Sequence, residues 1–584
     1  MTDTYLLLRA FVDELARCGM RAACTSPGSR CAPLVLSLAR EERLECFSHV
    51  DERCSGFFAL GLAKASGLPV AVTCTSGTAA AELLPAAIEA HEARVPLLLL
   101  TADRPPELRD NGAGQAIDQL KLFGDAAKWF VEVGTHDASS ERLRWMRTLA
   151  ARAFWTTLEG RPGVVHLNFP LREPLVSGEA LPADLSGRPA EAPYVRRAVG
   201  RASTDATPLR ELLSGSRRGV MVAGRHERST GGDALAIGRA AGAFCSAAGW
   251  PLLADPLSGG RRGDAAIAHY DALLREQRVS SSMEPDLVVR VGDLPVSKPL
   301  RTWLAGLADT RQVALDPEGA WQDPASVVSD SLAIDAAAAI SELQALPPAT
   351  EDDWLARWRQ LDELAAEALH GILADGELSE PAVAAELGVL LPEDATLFVA
   401  SSMPVRDIET VWPAREDPPR VLCNRGANGI DGTVSSAFGA AAAHQGPTVL
   451  LIGDVALAHD IGGLLAAGRL GLKLTIVLLD NGGGGIFDFL PISQAGGRDI
   501  YTRHIATPTG LDFAKAASLY GLSHERAADV QGFRAALERA LSHEHASIIE
   551  VRGERSANVE LHARMWDAVS RAISPSAGAA TPPA

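Results

Sequence analysis

Short, unbroken apolar runs recur along the chain, and each ends in small or polar residues. A first group comprises AACTSP (22–27), LECFSHV (44–50), VAVTCTS (70–76), PLLLLTAD (96–103) and GVVHLNFP (163–170). Ala- and Leu-rich stretches of helical length separate them. Strands that are apolar on both sides and alternate with helices predict a parallel sheet covered on both faces. GVMVAGR (219–225), LLADPLSGG (252–260), DLVVRVGD (286–293) and RQVALDP (311–317) form a second group. ATLFVASSM (395–403), RVLCNRG (420–426), TVLLIGD (448–454), LTIVLLDN (474–481) and ASIIEVRG (546–553) form a third. The predicted fold class is α/β, with three domains, each a mostly parallel sheet flanked by helices. The Pro-, Ser- and Gly-rich segment 175–195 reads as a linker, and ALPPATEDD (345–353) as a second boundary. The expected domains are residues 1–180, 196–346 and 354–573, and the tail SPSAGAATPPA (574–584), poor in apolar residues, is expected to be disordered.

Composition narrows what these domains can do. A chain of 584 residues has room for three or four cores, and 47% hydrophobic residues make it globular. The net charge of -18 argues against a nucleic-acid or anionic-membrane partner, which needs a basic stripe. Any anionic small substrate must then be met by local arginines. The start, MTDTYLLLRAFVDELARCGM, predicts an amphipathic helix without the basic opening and cleavage site of a signal peptide. No apolar run reaches the ~18 residues of a membrane span, so a cytoplasmic protein is expected. Cys18, Cys24, Cys31, Cys46, Cys54 and Cys74 lie early with no CxxC pair, and read as small apolar side chains kept reduced.

The stretch 447–487, PTVLLIGDVALAHDIGGLLAAGRLGLKLTIVLLDNGGGGIF, is a strand–turn–helix–strand–turn unit. Asp454 closes its first strand and Asn481 its second, 27 residues later. In a βαβ unit these ends can be neighbours, so that a carboxylate and an amide oxygen converge. Hard cations such as Mg²⁺ take few protein oxygens and complete their shell with phosphate and water. Four glycines beside the pair would bring bare backbone up to the same diphosphate.

This arrangement resembles the thiamine diphosphate motif, in which Gly-Asp is followed 25 to 30 residues later by Asn. Gly453, Asp454 and Asn481 match, and the carbonyl of Gly483 is the implied third ligand for Mg²⁺, with Mn²⁺ as an alternative. Val455 and Asp480 depart from the commonest pattern without removing a ligand. HVDERCSGFFALGLAKASG (49–67) resembles the family segment whose carboxylate activates the cofactor, which would make Glu52 the catalytic acid. Asp51 competes with it as a helix cap. TSPGSRCAPLVLSLA (25–39), TADRPPELRDNGAGQAIDQLKLFG (101–124), ASSMPVRDIE (400–409) and NRGANGIDGTVSSAFG (424–439) resemble more narrowly the 2-succinyl-5-enolpyruvyl-6-hydroxy-3-cyclohexene-1-carboxylate synthases of menaquinone biosynthesis.

That resemblance implies decarboxylation of 2-oxoglutarate and addition of its succinyl unit to isochorismate. Both substrates carry carboxylates, which guanidinium forks suit. The residues implied to contact substrate are Ser29, Arg30, Arg104, Gln115, Lys298, Ser402, Arg406 and Arg425. Ile430 would hold the cofactor bent, and Ile486 and Phe487 would wall the pocket. Where the family often has Lys-Arg, this chain has Lys298-Pro299, and whether Arg301 substitutes is open, so it stays outside the expected site. The resemblance further implies a homodimer or dimer of dimers, with Glu52 and Asp454 of one site coming from different chains. A different thiamine carboligase or 2-oxo-acid decarboxylase is one rival. A dinucleotide-binding protein is another, but it calls for a GxGxxG turn with an acid about 20 residues on, and no good instance is present.

Overall fold

The computed structural model describes residues 2–574, apart from 177–180, 198–201, 227–234, 308, 346, 349, 375–376, 444–445 and 495–496. The expected tail lies, Ser574 excepted, outside the described residues. The amphipathic start forms a helix, Thr2–Cys18, whose apolar side is buried.

Three separate sheets form, and every strand pairing in them is parallel. The first contains β1 (Ala22–Thr25), β2 (Glu45–Ser48), β3 (Val70–Cys74), β4 (Leu97–Asp103), β5 (Ala127–Glu132) and β6 (Val164–Pro170), in the order β2-β1-β3-β4-β6-β5. The second contains β7 (Gly219–Ala223), β8 (Leu252–Ala254), β9 (Leu287–Val291), β10 (Arg311–Leu315) and β11 (Asp330–Leu332), in the order β11-β10-β9-β7-β8. The third contains β12 (Thr396–Val399), β13 (Arg420–Leu422), β14 (Thr448–Gly453), β15 (Thr475–Asp480), β16 (Ser523–Ala527) and β17 (Ser547–Arg552), in the order β13-β12-β14-β15-β17-β16. The first and third sheets thus share one topology. In each, the order reverses beside its first strand, which opens a crevice at the carboxyl ends where α/β folds hold ligands.

The third sheet is apolar on both faces, and its side chains alternate between two cores. Leu397, Val399, Val449, Leu451, Val477 and Leu479 join the core that contains Val220, Leu253 and Val288 of the second sheet. Phe398, Leu450, Ile452, Ile476 and Leu478 join the core that contains Phe57, Phe58, Val72 and Leu97 of the first. The helix Glu52–Ser66 carries this second contact by packing on the helix Thr433–Ala443. Glycines let the two backbones touch, since a Cβ on Gly61 would strike the carbonyl of Ser436 and one on Gly439 the carbonyl of Phe58. Lys64, buried in the same seam, donates to the Cys423 carbonyl at 2.9 Å and lies 3.5 Å from Glu89. Glu89 in turn accepts from the backbone N–H groups of Gly426 and Ala427, holding the turn that bears Arg425.

The cysteines are unpaired, and all but half-buried Cys46 are buried. Burial pushes the Cys31 thiol up to about 11, so it stays protonated. Among the described residues no helix is long and apolar enough to cross a membrane.

Candidate active site

β14 and β15 are adjacent and in register, Gly453 facing Leu479. The two ends identified from sequence therefore do come together. Asp454 starts the short helix Asp454–His459 and is 2% exposed. Burial pushes its carboxyl up to about 6, against the opposing pull of the backbone N–H groups of Val455 and Gly483. Its Oδ2 and the Oδ1 of Asn481 are both shut off from solvent with no hydrogen-bond partner. Buried acceptors without partners are costly, so two at one strand edge mark a place built for a positive or hydrogen-donating group. The donor set of carboxylate and amide oxygen suits Mg²⁺. Among the described residues no three His, Cys, Asp or Glu side chains form a metal cage, so a cation here would draw on phosphate and water as well.

The glycine run has two separate causes. Gly482 and Gly483 have φ of 74° and 137°, a region that other residues rarely enter. A Cβ on Gly483 would also strike the Ala506 carbonyl and Arg555, and one on Gly485 would come within 2.8 Å of Asn481 Nδ2. The Gly484 N–H donates to the Ala506 carbonyl at 2.7 Å and the Gly485 N–H to the Gly483 carbonyl at 2.8 Å, fixing the turn against Asn481. Beyond it, Ile486 is half-buried and Phe487 37% exposed, while Ile430 packs on the edge of the core between the outer sheets.

The implied substrate residues fall at carboxyl ends as well. In the third sheet, β12 leads through Ser401 and Ser402, whose φ is 77°, into the helix Met403–Val411 with Arg406, and β13 leads into Arg425. Arg406 donates to the Ser402 carbonyl at 2.5 Å. Lys298 opens the helix Lys298–Gly306, capped by Ser297, and is exposed. Arg301, one turn on, was not expected in the site, yet it lies beside Arg406 and Arg425. Burial and the mutual repulsion of these guanidinium groups lower the pKa of Arg301 and of Arg406. None of the three forms a salt bridge among the described residues, which leaves a guanidinium cluster, exposed at Arg301 and Arg406, that favours anions.

In the first sheet, β1 runs into Ser29 and Arg30, β2 into Glu52 and β4 into Arg104. Asp51 caps the helix by accepting from the N–H groups of Arg53 and Cys54, so Glu52 is spared that task. Burial raises the Glu52 pKa, helped by the negative charges of Asp51 and Glu82. Arg30 is 5% exposed and already engaged, donating to the Leu171 carbonyl at 2.7 Å and to Glu173 at 3.1 Å, though its Nε has no partner. Burial and the nearby Arg30 lower the pKa of Arg104, against the opposing pull of Glu173 and Asp103. A buried relay holds the Arg104 turn: Asn168 donates to Asp103 at 2.8 Å, and Asp103 accepts the Arg104 N–H at 2.7 Å. Gln115, at φ 54°, is held against the turn after β3, its carbonyl accepting from Ser76 Oγ at 2.9 Å.

One residue with no motif around it completes the third-sheet site. Glu380, at the start of the helix Glu380–Leu390, accepts from Asn481 Nδ2 at 2.8 Å. Behind it Asp407 and His562 form a buried pair at 3.0 Å.

Comparison with known proteins finds matches along most of the chain. Residues 7–122 match the N-terminal TPP binding domain of thiamine pyrophosphate enzymes, 190–399 the middle domain, and 406–551 the C-terminal TPP binding domain. The chain is 45% identical over 575 residues to the 2-succinyl-5-enolpyruvyl-6-hydroxy-3-cyclohexene-1-carboxylate synthase of Geobacillus kaustophilus, covering 97% of each chain. It is 42% identical to the protein of that name from Chloroflexus aurantiacus, covering 97% of this chain and 96% of the other, and 40% identical to that from Listeria monocytogenes, covering 97% of each. With the paired strand ends, the glycine turn and the arginine cluster in one sequence order, the chain belongs to the thiamine diphosphate-dependent 2-succinyl-5-enolpyruvyl-6-hydroxy-3-cyclohexene-1-carboxylate synthase family.

Proposed function

We propose that this protein decarboxylates 2-oxoglutarate and joins the succinyl unit to isochorismate, releasing CO2, as the corresponding step of menaquinone biosynthesis. The observation that carries the reading is that two unpartnered buried oxygens lie at the carboxyl edge of the third sheet, the edge that also bears Arg406 and Arg425, with Arg301 of the second domain beside these two arginines. Asp454, Asn481 and the Gly483 carbonyl would hold Mg²⁺, or Mn²⁺ in its place, against the diphosphate, with Gly453 allowing close approach. Thiamine diphosphate, when bound, supplies the electron sink that lets a 2-oxo acid lose CO2 and form a new carbon–carbon bond.

The protein's own groups do the rest. Glu52, whose pKa is raised by burial, would hydrogen-bond a ring nitrogen of the cofactor and stabilise the proton there, its catalytic task. Ile430 supports the bend of the cofactor, while Ile486 and Phe487 keep water from one wall. Arg406, Arg425 and Lys298, with Arg301 added, orient substrate carboxylates through charge-assisted bonds. Ser29, Arg30, Arg104, Gln115 and Ser402 complete the set from the facing turns. We read the working form as a cytoplasmic homo-oligomer, a dimer at least, whose sites lie between subunits and whose chains divide at 1–180, 196–346 and 354–573. Purified protein given thiamine diphosphate, Mg²⁺, 2-oxoglutarate and isochorismate should yield the adduct, identified by mass. Succinic semialdehyde as the sole product, with isochorismate untouched, would instead make it a 2-oxo-acid decarboxylase.

A further inference from the structure

The amide of Asn481 has two ends of similar shape, and only the oxygen can serve a cation. What fixes the amide the right way round is a contact with Glu380. Its carboxyl, on a residue 6% exposed, accepts the hydrogen of Asn481 Nδ2 at 2.8 Å, while Asn481 Oδ1 is left buried and unpartnered on the other side. Turning the amide over would take its N–H₂ from the Glu380 oxygen and set it against the cation, which repels it. The glutamate is itself confined. Ser379 caps its helix by accepting from the Ala382 N–H, and Glu380 faces Asp407, His562 and Asp454. His562 is locked in turn, its Nδ1 bonded to the Asn558 carbonyl at 2.9 Å and its Nε2 to Asp407 at 3.0 Å. Asp407 directly follows Arg406, so one helix both backs this glutamate and presents a substrate arginine.

We propose that Glu380 is a positioning residue that orients the Asn481 amide so that its oxygen, and not its nitrogen, faces the divalent cation of the cofactor. This rests on the reading of Asp454 and Asn481 as cation ligands. Partners that orient a metal ligand in this way commonly cost 10- to 100-fold in metal affinity when lost.

The test is Mn²⁺ binding in the presence of thiamine diphosphate, followed by electron paramagnetic resonance, with folding checked by circular dichroism. Glu380→Met keeps the length and suits a buried pocket but accepts no hydrogen, and should bind Mn²⁺ about 10- to 100-fold more weakly. Glu380→Gln, whose amide oxygen can accept the same hydrogen, should bind nearly as wild type. In an Asn481→Ala background, Glu380→Met should weaken binding no further, because it acts through the amide that is gone. Wild-type affinity in Glu380→Met, or a full additional loss in the double variant, would overturn the proposal. If Glu380→Met does not fold, Glu380→Ala is judged by the same outcomes. Asn481→Ala alone separates the two readings. Unchanged affinity there removes the cation site, whereas weakened binding there with Glu380→Met unaffected removes only the role of Glu380.

Discussion

Arg425 sits in a turn whose N–H groups are gripped by Glu89 while its own guanidinium faces Arg301 and Arg406 rather than an acid. Three like charges held together are repaid only when an anion enters. Arg425→Ala should therefore lower kcat/KM for one dicarboxylate substrate by the ~2–5 kcal/mol that a lost desolvated pair costs, with thiamine diphosphate affinity nearly kept. Steady-state kinetics with each substrate varied, alongside calorimetry of the cofactor, check both halves. His166 supplies a second expectation at this scale. It is fully buried, with Nε2 donating to Thr101 Oγ1, which in turn donates to Asn168. Burial lowers its pKa from 6.5 to about 3. Below pH 6.5 an unfolded chain takes up a proton that the folded chain refuses until about pH 3, so stability is full above 6.5 and is lost as pH falls. The loss should approach ~1.4 kcal/mol per pH unit from this one group. His166→Gln, still able to donate to Thr101, should flatten the pH dependence of the unfolding midpoint by that amount. The sequence could point to Asp454, Asn481 and Glu52 because each sits in a local motif. It could not show Glu380, which meets Asn481 from 101 residues away, or settle Arg301, which joins the cluster only once the helix Lys298–Gly306 places it one turn beyond Lys298.

At the scale of elements, fourteen of the seventeen strands among the described residues were visible as apolar runs, and the three that were not share one physical trait. β5, β11 and β16 each lie at one edge of their sheet, opposite the edge strands β2, β8 and β13, whose runs were legible. They read AKWFVE, DSL and SHERA and are mostly half-buried or exposed. A strand with water along one side needs no continuous apolar run, so the signal that marks the central strands is missing. The helix crossing between the outer sheets was equally hidden, because its glycines are scattered through two ordinary-looking helices. Gly439→Ala would push a methyl into the Phe58 carbonyl, and overpacking of this kind costs ~1–3 kcal/mol. Gly371→Ala, at an exposed position of the helix Trp354–Ala374 with nothing within 4 Å, should instead raise stability by ~0.5–1 kcal/mol. Urea unfolding of the two variants should move in opposite directions from wild type.

For the whole molecule, the consequential expectation is where the two halves of a site come from. Glu52→Gln and Asp454→Ala should each abolish turnover alone. If each site pairs the first sheet of one subunit with the third sheet of its partner, a mixed dimer holds one site with both changes and one with neither. Random exchange between the two inactive proteins should then restore about a quarter of wild-type activity, half the dimers being mixed and half their sites intact. Sites built within one chain would restore none. Analytical ultracentrifugation would confirm that exchange took place.

The clasp between the outer sheets also sets a timetable for synthesis. The helix Glu52–Ser66 leaves the ribosome early, yet the helix that covers it begins only at Thr433. At ~5–20 residues per second, making the intervening chain takes about 20 to 70 s. Throughout that time a finished first sheet carries a bare, glycine-notched apolar flank with Phe57 and Phe58 at its centre. A nascent chain in that condition invites a chaperone or a wrong neighbour. Ribosome-bound chains halted at residue 430 should be cut by protease within 52–66 and captured by a hydrophobic trap, while chains halted beyond the third sheet resist both.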